Sequence, residues 1–155
     1  MSLTALALDL DGTLTCDDNV SDETRQALRA ARTGGLSLIL VSGRTGEDLR
    51  DSFPGLTDYF DAVVTDNGGM VHVGPLGRRL GRRIDDRLCA ALDEAGIAYE
   101  RGECLLSCDA QHAATIAQLI GDLGLHLQVF RNRSRLMVMS PGVTKANGLL
   151  AALHR

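Results

Sequence analysis

The sequence predicts an α/β fold, a Rossmann-like parallel-sheet core with an inserted small α+β cap. Three observations carry this. Short apolar runs alternate with amphipathic stretches up to residue 65, polar and glycine residues gather directly after each apolar run, and the rhythm changes to helix-strand-strand, twice, from residue 84 to 139. The chain has 155 residues, room for one ordinary domain or one core with an insert. At this length about 70% of the unfolded surface can be buried, so no disulfide or metal staple is required.

Thr4 to Leu10 (TALALDL) is an apolar run closing on acids and predicts a buried strand. After the polar stretch from Asp11 to Val20, Ser21 is an N-cap residue with Asp22 and Glu23 behind it, and the helix runs to about Thr33, before Gly34-Gly35. Leu36 to Val41 predicts a second buried strand, and Thr45 caps a short helix ending near Phe53-Pro54. Ala62 to Thr65 is the third strand. A hairpin follows around Gly74-Pro75-Leu76-Gly77. In the insert, Ile84 to Ala95 and the stretch from Asp109 to Leu123 read as helices. Each precedes a strand pair: Ala98 to Arg101 with Cys104 to Ser107, then His126 to Phe130 with Leu136 to Met139. Thr144 to His154 is the last helix. These boundaries assign residues 1–74 and 140–155 to the core and 75–139 to the insert, which repeats its own pattern as an internal duplication would.

Composition narrows the function classes. Sixteen basic residues face twenty acidic ones, a net charge of −4, so no global basic field recruits nucleic acid or an acidic membrane surface. No apolar run, Leu38 to Val41 included, exceeds five residues, far too short to span a bilayer. Met1-Ser2-Leu3 lacks the basic start of a signal peptide, and Cys16, Cys89, Cys104 and Cys108 form no CxxC pair. Buried free thiols and a cytoplasmic setting are the expectation. His72, His112, His126 and His154 are scattered and read as packing or surface residues. Fifteen of the sixteen basic residues are Arg; Lys145 is the single lysine and marks a place for a compact point charge.

The residues with chemistry to offer follow the strands. Asp9-Leu10-Asp11-Gly12-Thr13-Leu14 ends the first strand with two carboxylates two positions apart, hence on one side. Gly12 allows a sharp turn that presents backbone N–H groups, and Thr13 adds a hydroxyl. Paired carboxylates suit a hard cation such as Mg²⁺, or covalent phosphoryl transfer in which one Asp attacks phosphorus and the other moves the leaving-group proton. The bland reading is two acids in a surface turn. Ser42 and Gly43 end the second strand as a hydroxyl and N–H donor pair, and Arg44 either orients an anion or pairs with Glu47 or Asp48. Lys145 lies in the first turn of the last helix, where the helix dipole disfavours a cation by about 0.3–1 kcal/mol. A carboxylate and a phosphate dianion repel by ~4 kcal/mol at 4 Å and effective dielectric 20, and a lysine there offsets that.

In this order the three pieces resemble the haloacid dehalogenase superfamily of Mg²⁺-dependent phosphatases. Asp9 to Leu14 looks like its first motif, Ser42 its second and Lys145 its third. Thr65-Asp66-Asn67-Gly68-Gly69 resembles the Asn-Gly turn of members with a large cap. A cap between the second and third motifs is the type IIB arrangement of sugar-phosphate and archaeal-type phosphoglycolate phosphatases. The resemblance implies Asp9 as nucleophile, Asp11 as general acid/base, Ser42 as phosphate donor and Lys145 as charge clamp. Mg²⁺ would be held by Asp9 and the backbone carbonyl of Asp11. Gly12, Thr13, Gly43, Arg44 and Asn67 would line the phosphate site. Separately, Arg131, Arg133 and Arg135 alternate around the Asn132-Arg133-Ser134 turn, so Arg131 and Arg135 would face the cleft and a substrate carboxylate or sugar; the bland reading is a solvated turn of arginines. The expected partner is a small phosphorylated metabolite.

The family's fourth motif, a Gly-Asp with trailing acids after the lysine-bearing helix, has no counterpart here; Gly121-Asp122 lies inside the insert. One carboxylate fewer predicts weaker Mg²⁺ binding and impaired catalysis. The edge of the first strand is expected to be exposed, and covered by a partner chain or a second copy unless the sequence is a fragment. A receiver-type phosphoacceptor and a catalytically silent binding module are the competing classes.

Overall fold

The computed structural model describes residues 4–154; the start at Met1-Ser2-Leu3 and the limit at Arg155 lie outside them. Within these residues a five-stranded core sheet has the order β1 (Ala5–Asp9), β2 (Ser37–Val41), β3 (Ala62–Thr65), β4 (Met70–Val73), β5 (Leu76–Arg79). The first three strands are parallel and the last two antiparallel. β1 pairs with β2 alone, and among the described residues its other edge has no strand partner. The boundary at residue 75 falls inside a core hairpin, because β5 pairs with β4 and extends the core sheet.

Period-two alternation in β2 builds both faces of that sheet. Leu38 and Leu40 join Leu10, Leu28, Leu49 and Phe53 beneath helices α1 (Asp22–Thr33) and α2 (Gly46–Ser52). Ile39 and Val41 turn the other way, to Val64, Val71 and Ala152 under helix α5 (Lys145–Leu153). Ser21, Thr45 and Thr144 cap these three helices through their side-chain oxygens. No helix among the described residues is long and apolar enough to cross a membrane.

The cap is an antiparallel sheet in the order β6 (Tyr99–Arg101), β7 (Leu105–Asp109), β9 (Arg135–Met139), β8 (Gln128–Asn132). Helices α3 (Asp86–Glu94) and α4 (Ala113–Asp122) cover one face, with Leu88, Leu92, Leu106, Ile116 and Val138 fully buried between. Cys89, Cys104 and Cys108 are buried free thiols; Cys16 is exposed, because it lies in the polar loop after β1 rather than on an apolar strand.

Two glycines bring α5 against the turn after β3. A Cβ on Gly68 would overlap the Thr144 carbonyl, and one on Gly148 would sit 2.5 Å from Val64 Cγ1 and 2.7 Å from the Gly68 Cα. In an open helix Gly→Ala gains about 1 kcal/mol, but forced overpacking costs about 1–3 kcal/mol. Gly148→Ala is therefore expected to destabilise the fold despite its better helix propensity. A lower urea midpoint with an unchanged slope is the expected signature; a raised midpoint would contradict the close packing.

Candidate active site

The carboxyl ends of the parallel strands face the cap sheet across a cleft of about 610 Å³, lined by Asp9, Asp11, Gly43, Arg44, Asn67 and Lys145 from the core. Glu100, Ser107, Arg133 and Arg135 line it from the cap. The register Asp9↔Val41 ends β1 and β2 flush, so the loops after both strands open at one level. Lys145, the first residue of α5, donates from Nζ to both oxygens of Asp9, at 2.8 and 2.9 Å. The two side chains are 39% and 44% exposed. A pair this open contributes about 0–1 kcal/mol to folding, so its interest lies in the cleft chemistry.

Asp11 is held by Arg44, whose Nε and Nη2 both donate to its Oδ1, at 3.0 and 2.8 Å. The same guanidinium reaches Asp18 and Asp48, each at 3.1 Å, and lies 5.0 Å from the centre of the Phe53 ring. Its pKa is raised, first by the hydrogen bond to Asp11, with burial opposing. Of the two partners expected for Arg44 in the helix that follows it, Asp48 is the one used.

Other expected residues take different places. Ser42 is fully buried below Gly43, and its hydroxyl accepts from the Arg44 N–H at 3.1 Å. It supports the loop and does not line the cleft. Thr13 is exposed and also outside the lining, while the Gly12 N–H donates to Thr15 Oγ1 at 3.3 Å. Gly43 matters by its size: a Cβ there would lie 3.3 Å from Met137 Cε, 3.7 Å from Asn67 Oδ1 and 3.9 Å from Lys145 Cε. Asn67 lines the cleft in a left-handed conformation (φ 53°), its N–H donating to the Ser42 carbonyl.

In the cap, Arg135 faces the cleft, bonded to Ser107 and paired with Glu100 at 2.9 Å. Arg131 is not among the lining residues, and its Nε donates to the Arg133 carbonyl. It is paired with Leu136, which faces the cap helices, whereas Arg135 is paired with Asn132 on the opposite, cleft-facing side of the sheet. Arg133, between them, is the residue that reaches toward the core.

Asp66 was not singled out by the sequence. It is 1% exposed, and its Oδ2 accepts from the Cys104 N–H at 2.7 Å, fastening the β6–β7 turn to the core. A Cβ on Gly102 would press 2.5 Å from the same oxygen. Burial raises the Asp66 carboxyl, against the pull of the Cys104 and Glu103 N–H groups, and pushes the Cys104 thiol up to about 11. The sequence offers only the Asp66-Asn67-Gly68 run, a turn signal, and in the structure all three residues have positive φ.

The donor set fits a hard cation. Asp9 and Asp11 present oxygen ligands and are 44% and 41% exposed to the cleft. Among the described residues no three His, Cys, Asp or Glu side chains converge into a metal cage. Two carboxylates suffice for Mg²⁺, which keeps several waters.

Comparison with known proteins agrees with this fold. The sequence pattern of the haloacid dehalogenase-like hydrolases matches residues 6–76. A solved structure described as a subclass IIB sugar phosphatase of that superfamily is 16% identical, with a TM-score of 0.70 over 97% of this chain and 75% of that one. A haloacid dehalogenase-like hydrolase from Bacteroides thetaiotaomicron gives 0.78 at 16% identity, over 99% and 77%. A HAD/COF-like hydrolase from Plasmodium vivax gives 0.74 at 19%, over 98% and 73%. Comparison with curated proteins finds no match.

The Asp66 clamp has a pH signature. A carboxyl raised on folding contributes stability that is complete below its unfolded value near 3.8 and is lost as pH rises through the folded value. Against Asp66→Asn, the wild-type stability is expected to fall between pH 4 and neutrality. Urea titrations across that range test it; a difference that stays flat would contradict the burial argument.

Proposed function

We propose that this chain is a haloacid dehalogenase-like core with a type IIB cap, and that it hydrolyses small phosphomonoesters through a phosphorylated Asp9. One observation carries the reading. The only lysine of the chain, 136 residues away in sequence, grips both oxygens of Asp9 beside a second, arginine-held carboxylate in one cleft. Mg²⁺, held by Asp9 and the backbone carbonyl of Asp11, would supply positive charge against the phosphoryl oxygens.

The residues divide the work in two steps. An Asp9 oxygen bonds to phosphorus as the ester P–O bond breaks, and Asp11 delivers a proton to the departing alkoxide. Asp11 then takes a proton from water, whose oxygen attacks phosphorus and releases phosphate from Asp9. Arg44 aims the Asp11 carboxylate toward the leaving-group side. Lys145 limits the repulsion between Asp9 and the incoming dianion. In the cap, Arg135 is balanced by Glu100 and flanked by Ser107, a polar and near-neutral surface suited to a hydroxylated leaving group such as a sugar or a small hydroxy acid.

Mg²⁺-dependent phosphate release from p-nitrophenyl phosphate tests the proposal. Asp9→Asn is expected to abolish it, and Lys145→Ala to lower kcat by about 10²–10³-fold, as for removal of one charge-stabilising donor. Full activity in Asp9→Asn would overturn the nucleophile. A long-lived acyl phosphate after acetyl phosphate treatment would assign a phosphoacceptor instead of a hydrolase.

A further inference from the structure

The cleft contains four cations, and three are matched by carboxylates. Lys145 is paired with Asp9, Arg44 with Asp11, Asp18 and Asp48, and Arg135 with Glu100. Arg133 forms no ion pair among the described residues, although it lines the same cleft.

Its position is specific. Arg133 is the first residue of the two-residue loop joining β8 to β9, since Asn132 and Arg135 are paired partners. The loop tip carries the side chain out of the cap sheet and down to the catalytic loop. Its Nη2 lies 3.8 Å from the point a Cβ on Gly12 would occupy. Arg135, Ser107 and Glu100 by contrast lie on the sheet face above. The cap therefore presents two levels to the cleft, a balanced polar roof and a single unmatched guanidinium at the level of the phosphoryl site.

The backbone gives an independent observation. Arg133 has φ 55°, in the left-handed region, at the loop position where glycine is the usual occupant. A bulky side chain in that conformation is retained against its local preference, which directs attention to what the side chain does.

We propose that Arg133 is a further catalytic residue, a guanidinium delivered by the cap onto a non-bridging oxygen of the transferring phosphoryl group. This rests on the phosphatase reading above. Asp9 and Lys145 cancel each other's charge, so a phosphate dianion still requires positive charge from elsewhere, and Arg133 supplies part of it from the cap side. A guanidinium suits the task because its planar fork can meet two phosphoryl oxygens together.

The experiment compares wild type with Arg133→Gln, Arg133→Lys and Arg133→Gly on p-nitrophenyl phosphate, a neutral sugar phosphate and a phosphorylated hydroxy acid. Orthophosphate affinity is measured on the same proteins by calorimetry. Arg133→Gln is expected to lower kcat/KM by about 10²-fold on every active substrate, whatever its leaving group, and to weaken orthophosphate binding. Arg133→Lys recovers part of the loss. Arg133→Gly relaxes the loop and holds or raises Tm while losing activity like Arg133→Gln, a combination that a structural role for the arginine would not produce. A loss confined to the phosphorylated hydroxy acid would overturn the proposal by assigning Arg133 to a leaving-group carboxylate, and unchanged activity in an active enzyme would overturn it alone. A wild type that neither turns over these esters nor binds orthophosphate would overturn the phosphatase reading and this proposal together.

Discussion

Asp9 and Lys145 stand at opposite ends of the chain, and the site depends on their meeting. An ammonium on the first residue of a helix opposes the helix dipole, so local preference would not put it there. The ion pair with Asp9 offsets that local cost, and it forms because α5 lies unusually close to the sheet. That closeness comes from residues with no side chain. Gly68 and Gly148 let the helix backbone approach the turn after β3, and a methyl at either would push the lysine away from the carboxylate.

The two carboxylates at the end of β1 are held by different cations, Asp9 by Lys145 and Asp11 by Arg44. Lysine offers a compact charge that can shift as a ligand arrives, whereas the arginine fork fixes the direction of its partner. Arg44 is itself held by Asp18, Asp48 and the Phe53 ring, so the orientation of Asp11 is secured by the loop after β1 and by helix α2. The cap is secured in a comparable way. A buried carboxylate on the core accepts a backbone N–H from the cap, close to where the chain passes between them.

Much of this was legible in the sequence because it rests on local chemistry. The alternation of β2, the caps at Ser21, Thr45 and Thr144, and the paired aspartates after β1 all follow from residue types within a few positions. What was illegible depends on distant partners. The hairpin after β3 was legible from its glycine-proline turn, but the bounds of β5 were not, because the strand is exposed along its whole length and only its pairing with β4 defines them. Asp66 reads as a turn residue until Gly102 and Cys104 close over it. The arginines of the β8–β9 hairpin alternate in sequence, but the two-residue loop pairs Arg131 with Leu136 and Arg135 with Asn132, so the two fall on opposite faces of the sheet, and only the register shows this.

The flush ending of β1 and β2 has an evolutionary consequence. Each side chain of β2 serves a different layer from its neighbours, so inserting or deleting one residue there would send the leucines to the α5 side and the β-branched residues to the other. It would also move Ser42 through Thr45 about 3.3 Å along the strand relative to Asp9. Substitutions of similar volume can accumulate in this strand, but its length cannot drift, and indels among homologues should fall in the irregular connections instead.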